Sequence, residues 1–574
     1  MINLPGDGCE GVLTKSSKRW AAMALVVAVL ASAFAAGRVV AGRGGWAAVV
    51  SWGLGVALVL LAFAPQWSPA VRRLRPSWNW LVLLLIGLAP VAVRLALSSP
   101  ARVHGDELIT AYFSLTEDLS PARFFAEVPR VRVEWVSQFP TPFFLIQRAF
   151  LAVFGDHIAG VRLSVQPYVF LVAVLLFLFA REVADRATAW IAVTISTFLA
   201  ISLYLETLGL HFISSTALFL AFCLAGAHAL RSGRQADALA TGVLCGACYL
   251  FYTSSYVALP LMLLVGGWQL VRHRGRGWGH LLALPLLGFA VTLAPFAAHA
   301  LAHYNYFHSR LAQVSLLSGH WSDVPERVAR GESLLAILAT HTEKAVLSLG
   351  KGGIGGHGGY WFGHQGLFDP LSLLLLLAGI GLALRQAGRR PALLVAVGVA
   401  VATFVSGVVL TIPPPAFHRW SLAWPFLALL MALPIRKLLD LQRWTPFARV
   451  GSVVAVLLLF ASLNLGRFTQ ATLGETVPLE LSLGEMINSR FPDKKLYVAA
   501  FPGQAYEKLA YFANVRRRSR AVTTYHTDLL ESFRADEDYL YVIALPDDFG
   551  ERFHALDPSA RLVRMTPHYA LMFN

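Results

Sequence analysis

Charged residues are scarce in this 574-residue chain. Asp, Glu, Lys and Arg together make up 14% of it, whereas hydrophobic residues make up 56% and the mean hydropathy is +0.59. Soluble globular domains carry about 25% charged residues, so this composition excludes a soluble globular chain. The sequence predicts a polytopic α-helical membrane protein.

Cysteine is equally scarce, and the positions of the cysteines exclude a disulfide framework. The four cysteines are Cys9, Cys223, Cys245 and Cys248. None of them lies in a segment that we predict to be extracytoplasmic. Cys245 and Cys248 have the spacing of a redox or metal-binding pair, but they lie in an apolar segment without a second pair or a histidine cluster. We interpret them as packing residues.

Acidic residues are outnumbered by basic ones, 33 to 48, which gives a net charge of +15. The segment from about residue 471 onward holds 14 of the acidic and 12 of the basic residues, so the excess belongs to the preceding part. Cytoplasmic loops of membrane proteins carry such an excess. A nucleic-acid partner would instead require basic residues clustered on one soluble face, so we predict the lipid bilayer, and no nucleic acid, as a partner.

Apolar segments of about spanning length, roughly 20 residues, occur about 13 times along the chain. They lie at 20–36, 46–64, 78–97, 163–180, 187–205, 208–230, 238–252, 256–271, 281–302, 371–384, 392–412, 417–434 and 450–465. Arginine-rich stretches fall between alternate segments and predict a cytoplasmic amino terminus in a cell (inner) membrane. The first segment resembles a secretory signal, but its long charged leader favours an uncleaved anchor.

Three parts follow from this pattern. Residues 1–77 hold a cytoplasmic amino terminus and two extra transmembrane helices, residues 78–470 form a transmembrane core, and residues 471–574 form a soluble extracytoplasmic α/β domain. The predicted elements of this domain are strands at 495–501, 539–545 and 562–574 and helices near 504–513 and 549–556.

Two large loops of the core are predicted on the outer face, at 98–162 and 303–369. Two stretches of the first loop, 108–115 and 143–154, are apolar enough to lie flat on the membrane as interfacial helices. The chemistry of the protein is therefore to be sought among the polar residues of the outer face.

An adjacent pair of carboxylates, Asp106 and Glu107, follows the third apolar segment in the stretch Val103–Leu108. A charge is costly in lipid, so the pair is expected to face water or a ligand. Adjacent side chains point in different directions, so one could face a site while the other anchors the loop; His104 stands beside them. The alternative is that Asp106 is only the N-cap of the following helix. We predict the reaction centre here.

Another outer turn is tight and holds Glu206, with His211 one turn further on. Two outer carboxylates from separate loops suit a general base and an orienting or cation-binding partner. A divalent cation is compatible with them, although no motif specifies a metal or any other cofactor. His211 could instead be an interfacial polar residue.

Several short motifs along the core carry a resemblance to a known family. They are the Asp106-Glu107 pair, Pro142 to Gly155, Arg162-Leu163-Ser164, Arg181-Glu182, Glu206 to His211, Phe368-Asp369-Pro370, and His418-Arg419-Trp420 with Pro425. Their order and sidedness resemble the membrane glycosyltransferases of the GT-C fold, and most closely the family 39 relatives, protein O-mannosyltransferases and lipid A aminoarabinose transferases. The resemblance covers residues 78–465.

The resemblance implies a hexosyl- or pentosyltransferase that uses a polyprenyl-phosphate sugar as donor and a lipid, glycan or protein as acceptor. It implies Asp106 as the base, Glu107 as its neighbour and Glu206 as a second-loop acid, with a periplasmic active site. This chain departs from the family at one place: relatives commonly carry an arginine and an aspartate around the second-loop turn, which here reads Tyr204 to His211.

A donor with its isoprenoid tail in lipid needs cations at headgroup depth. The outer cations Arg419, Lys351, Arg130 and Arg132 are candidates for its phosphate, although each could instead contact lipid headgroups or water. A glycine-rich run at 350–359, which includes His357, lacks the nucleotide-binding pattern. It predicts either a flexible loop or a lid over the site.

Two other functions stay open. A transporter or flippase of a lipid-linked substrate would favour ionisable residues within the spans and broken helices, whereas the sequence gives no sign of an ion pair inside the membrane. A scaffold that only presents the carboxy-terminal domain would not need Asp106 at all. The position of the acids at the outer ends of the spans favours the enzyme.

Overall fold

Helices dominate the part of the chain that the computed structural model describes. The described residues are 15–63, 78–99, 102–116, 124–125, 141–272, 279–303, 314–317, 322–354, 360, 365–412, 415–473, 479–499, 512, 521–524, 538–544, 555, 557–564 and 569–573. Arg130, Arg132 and His357 lie outside these ranges, as does most of each of the two helices predicted in the carboxy-terminal domain.

Twenty α-helices follow one another along the described ranges. In chain order they are α1 (Lys15–Val40), α2 (Trp46–Leu61), α3 (Trp78–Leu97), α4 (Gly105–Thr116), α5 (Pro142–Phe154), α6 (Ile158–Leu163), α7 (Gln166–Val183), α8 (Arg186–Phe198), α9 (Ala200–Glu206), α10 (Phe212–Ser232), α11 (Gln235–Cys248), α12 (Ala258–Arg272), α13 (His280–Ala302), α14 (Val324–Ala329), α15 (Leu334–Leu347), α16 (Pro370–Arg385), α17 (Ala392–Thr403), α18 (Trp424–Leu438), α19 (Pro446–Thr472) and α20 (Leu479–Arg490). Short 3-10 or π-helical elements extend three of the bundle helices, at Thr253–Val257, Phe404–Val409 and Phe417–Ala423.

Every apolar segment predicted to cross the membrane contains a helix. Within the described ranges, nine helices have the length and apolar composition to cross a membrane, and a bent pair makes a tenth. Helices α2 and α16 are apolar but have only 16 residues each, and α11 has 14. The predicted polytopic helical bundle is therefore confirmed.

Helices α8 and α9 form a broken span where the sequence predicts one continuous segment. Their axes are bent by 60° at Leu199, and the break leaves the Ala200 amide available to a side chain. The side-chain oxygen of Asn464, from α19, accepts a hydrogen bond from this amide at 2.9 Å. An unpaired amide is costly inside a membrane, so Asn464 stabilises the break that brings Glu206 to its position.

Helix α18 lies at the centre of the bundle. Its side chains are buried from Trp424 to Leu433 and at Ile435. It packs against α16 where a Cβ atom at Gly379 would lie 2.0 Å from the carbonyl oxygen of Leu430. Only glycine permits this close approach, which is a common way for helices to pack in membranes.

The two extra amino-terminal helices pack as a hairpin against α13. The Ser32 hydroxyl of α1 donates a hydrogen bond to the Val291 carbonyl at 2.6 Å, and the Trp52 indole of α2 donates one to the Thr292 carbonyl at 2.9 Å. Trp52 also contacts Phe125, from the segment between α4 and α5, with ring centroids 5.3 Å apart. The hairpin is thus attached to the core by side-chain hydrogen bonds to the backbone as well as by apolar packing.

A five-stranded mixed sheet forms the carboxy-terminal part of the chain. Its strands are β1 (Lys495–Ala499), β2 (Ala521–Thr524), β3 (Tyr539–Ala544), β4 (Arg561–Arg564) and β5 (Tyr569–Phe573), in the order β2-β1-β3-β5-β4. Strand β1 pairs in parallel with β2 and β3, whereas β5 pairs in antiparallel with β3 and β4.

The small α/β character of this part is confirmed, but the strand predicted at 562–574 is wrong in detail. This segment contains two strands, β4 and β5, which pair with each other in antiparallel, and residues 565–568 between them lie outside the described ranges. Sequence analysis also missed β2 and α20.

Candidate active site at the mouth of the helix bundle

Asp106 lies in the first turn of α4, a short helix between α3 and α5. The helix begins at Gly105, and its amino-terminal cap is His104, whose ring Nδ1 accepts a hydrogen bond from the Asp106 amide at 3.1 Å. The Asp106 carboxylate itself accepts a hydrogen bond from the Tyr360 hydroxyl. The capping role that could have explained Asp106 is therefore filled by His104, and the Asp106 side chain is directed toward another loop.

Glu107 points the other way and is fully buried. Its carboxylate accepts hydrogen bonds from Arg162 Nε at 2.8 Å and from the Gly209 amide at 2.7 Å. Arg162 in turn donates to the Ser98 hydroxyl and the Ser99 carbonyl, at 2.9 and 2.6 Å. Because a buried ion pair needs such additional bonds to offset desolvation, this network fixes the loop that carries Asp106.

Glu206 is also buried and also paired with an arginine. Its carboxylate accepts hydrogen bonds from Nε and Nη2 of Arg94 at 2.9 and 2.7 Å. Arg94 is 1% exposed in α3 and donates further bonds to the carbonyls of Ser196 and Thr197, at 3.1 and 2.5 Å. The expectation that the spans hold no ion pair is therefore wrong: Arg94 lies within an apolar span, and a charge there requires a partner.

Arg102 links the segment between α3 and α4 to the turn after α9. Its guanidinium donates to the Thr207 hydroxyl at 2.7 Å and to the Tyr204 carbonyl, and lies 3.6 Å from the centre of the Tyr204 ring. Together with the bond from Gly209 to Glu107, these contacts join the two loops that sequence analysis singled out. The two loops therefore contact each other through arginine side chains and backbone groups, and not through a shared pair of carboxylates.

Aromatic and histidine rings from separate segments stack beside Asp106. Tyr360 lies between two imidazoles, with its ring centroid 4.3 Å from that of His104 and 4.0 Å from that of His418. Phe212 contacts both Tyr360 and His418, at 5.5 and 5.4 Å, and His211 packs on Phe212 at 4.5 Å. We call His104, His211, Phe212, Tyr360 and His418 the ring cluster.

Sequence analysis identified His104 and His211 as candidates but assigned no role to Tyr360. Tyr360 directly follows the glycine-rich run 350–359, which was considered as a lid. An aromatic residue at the end of such a run is the only sequence signal that could have marked it. Its contact with Asp106 links residues 254 positions apart, which no local pattern predicts.

The cation candidates differ in their surroundings. Arg419 is partly buried at the start of the α18 span; its Nη1 donates to the Ile412 carbonyl at 3.2 Å, and its side chain also hydrogen-bonds Tyr252, which packs on His211. Lys351 is exposed. Arg419 therefore borders the ring cluster. Within the described part of the chain, no group of three or more His, Cys, Asp and Glu side chains is arranged to hold a metal ion.

Comparisons with known proteins support the fold. No family model and no curated protein matches the sequence. Among solved structures, the chain is similar to ArnT from Cupriavidus metallidurans bound to undecaprenyl phosphate, with a TM-score of 0.57 and 15% identity over 86% of this chain and 98% of ArnT. ArnT in the apo state gives a TM-score of 0.56, also at 15% identity, over 86% of this chain and 97% of ArnT.

A weaker match is the oligosaccharyltransferase from Archaeoglobus fulgidus, with a TM-score of 0.49 and 14% identity over 76% of this chain and 64% of that protein. This similarity is too low to add to the argument. The similarity to ArnT extends over almost its whole length and agrees with the helices and the sheet described above. The chain therefore has the GT-C type of fold found in membrane glycosyltransferases, as its sequence motifs predict.

Proposed function

We propose that the protein is an integral membrane glycosyltransferase that transfers a sugar from a polyprenyl-phosphate donor to an acceptor on the extracytoplasmic face. The observation that carries the proposal is the hydrogen bond between Asp106 and a hydroxyl group, that of Tyr360. A carboxylate that accepts a bond from a hydroxyl at the mouth of a membrane bundle is placed to accept one from an acceptor hydroxyl. The GT-C type of fold and the undecaprenyl phosphate bound to ArnT support a lipid-linked donor.

The chemistry assigned to Asp106 is that of a general base. The acceptor oxygen attacks the anomeric carbon of the sugar, the bond from this carbon to the phosphate oxygen breaks, and polyprenyl phosphate leaves. Asp106 takes the hydroxyl proton as the new bond forms. A positioned base of this kind contributes about 100- to 10,000-fold to a rate.

Glu107 and Glu206 have a different proposed role. Arginine already binds each of these buried carboxylates, so neither is placed to take a proton without leaving a buried charge unpaired. Their proposed role is to fix the positions of the two outer loops relative to each other. Asp106 then remains as the base. His104 and His211, as members of the ring cluster, are proposed to line the site.

Arg419 is the proposed ligand of the donor phosphate. It lies at the outer start of a span and beside the ring cluster, which is the depth of a lipid phosphate whose tail lies in the bilayer. Arginine is well suited to bind phosphate through several N–H groups. Lys351, Arg130 and Arg132 stay candidates for the same phosphate.

A transporter or flippase of a lipid-linked substrate is the second candidate. The buried pair Arg94–Glu206 and the 60° break between α8 and α9 favour it, because transporters use ionisable residues and broken helices inside the membrane. The enzyme remains the first choice because the turn that follows Glu206 is bonded to the loop of Asp106, through the Gly209 amide and Glu107.

The discriminating experiment uses the purified protein in liposomes that contain a panel of polyprenyl-phosphate sugars. Release or transfer of sugar supports the enzyme, whereas movement of the intact lipid to the other leaflet without release supports the flippase. A parallel sample with EDTA, followed by Mg²⁺ or Mn²⁺, tests whether transfer requires a divalent cation. Labelling of single cysteines from either side tests the proposed orientation, with the amino terminus cytoplasmic and the carboxy-terminal domain outside.

A further inference from the structure

A small apolar cluster lies beneath the helix that carries Asp106. Its buried members are Leu108 and Ala111 of α4, Leu151 of α5 and Val161 of α6, each 0 to 2% exposed. Val161 also lies against Gly209, where a Cβ atom would come within 2.4 Å of its side chain. This cluster therefore supports α4 on the face opposite to the site and reaches the turn whose amide binds Glu107.

One residue of the carboxy-terminal part packs against the same cluster. Phe512 is partly buried there, although it lies about four hundred positions further along the chain. Its backbone is held by α20: Asn488 Nδ2 donates a hydrogen bond to the Phe512 carbonyl at 3.0 Å, and a Cβ atom at Gly484 would lie 2.6 Å from Phe512 Cβ. Phe512 thus connects α20 to the apolar cluster that supports α4.

We propose that Phe512 is a positioning residue through which the carboxy-terminal domain holds Asp106 in its reactive place. The proposal rests on the proposed function. Helix α4 has only 12 residues, and a short helix gains most of its stability from tertiary packing. Loss of the Phe512 ring leaves α4 without part of that packing, and small displacements of a reacting group are costly in rate.

The experiment measures hydrogen exchange and transfer kinetics in the full-length protein. In Phe512→Ala, amides 105–116 are expected to exchange about tenfold faster, because the local opening of α4 becomes easier. The value of kcat is expected to fall by about tenfold, with the KM for the donor unchanged, since the donor site is not altered. Phe512→Leu retains an apolar side chain, so the exchange rates of amides 105–116 and the value of kcat are both expected to lie within about twofold of wild type.

Phe491→Ala is the matched control. Phe491 is a partly buried phenylalanine of the same part of the chain, and its ring packs on Phe573 of the sheet at 5.0 Å. The proposal is overturned if folded Phe512→Ala leaves exchange of amides 105–116 unchanged, if exchange rises without a fall in kcat, or if Phe491→Ala has the same effects. A wild-type protein that transfers no sugar refutes the proposed function, and the exchange data then still decide whether Phe512 holds α4.

Discussion

Replacement of Glu107 by glutamine tests the claim that this carboxylate holds the loop of Asp106. Glutamine keeps the shape of the side chain and one oxygen acceptor but removes the charge that faces Arg162. Arg162 has a side chain that is 3% exposed, so its guanidinium would remain buried without a counter-charge. Breaking a buried pair in this way costs about 3 to 5 kcal/mol.

This cost is measurable by thermal unfolding of the purified protein. For a chain of 574 residues, a loss of about 3 kcal/mol lowers the Tm by about 2 to 3 °C in a two-state transition. The double variant Glu107→Gln with Arg162→Met removes the unpaired charge as well and is expected to recover part of the loss, so the two changes are not additive.

A matched control is Glu182→Gln. Glu182 pairs with Arg231 at 2.9 Å, but the arginine side chain is 69% exposed, and exposed pairs contribute at most about 1 kcal/mol. If Glu107→Gln destabilises the protein no more than Glu182→Gln does, or if the double variant simply adds the two losses, the account of Glu107 as a buried anchor is refuted.

Three further predictions concern neighbouring residues. Tyr360→Phe removes a hydroxyl that competes with the acceptor for Asp106, so the acceptor KM is expected to fall by up to about tenfold with kcat unchanged; steady-state kinetics that show a lower kcat instead would assign Tyr360 to positioning. Arg419→Gln is expected to raise the donor KM by about tenfold or more, and exposed Lys351→Gln by less, in the same kinetic assay; equal effects would argue against Arg419. Asn464→Ala leaves the Ala200 amide unpaired and is expected to cost about 1 to 3 kcal/mol in thermal unfolding; unchanged stability would contradict its role at the break.

The sequence is sufficient to predict the bundle, because apolar runs and arginine-rich loops are local signals. The position of Asp106 just beyond the end of a span follows from the same signals. The 60° break between α8 and α9 is not predictable in this way, since the residue that stabilises it, Asn464, lies 264 positions away from Ala200.

The partners of the acidic residues also lie far from them in the sequence. Arg94 pairs with Glu206 across 112 positions and Arg162 with Glu107 across 55. Neither pairing has a periodic or compositional signature, although an arginine within an apolar span indicates that a buried partner exists. Sequence reasoning left open which of the adjacent carboxylates faces the site and which anchors the loop, whereas the contacts separate Asp106 from Glu107 and Glu206, the two that arginine binds.

The most direct test of the central claim compares Asp106→Asn with wild type in sugar transfer from a polyprenyl-phosphate donor in liposomes. Asparagine keeps the side-chain shape but cannot act as a base, so transfer is expected to fall by about 100-fold or more while the Tm is retained. Asp323→Asn, at an exposed outer carboxylate that is 62% accessible, serves as control and is expected to leave transfer unchanged. Transfer by folded Asp106→Asn at a rate close to that of wild type would contradict the claim that Asp106 is the base.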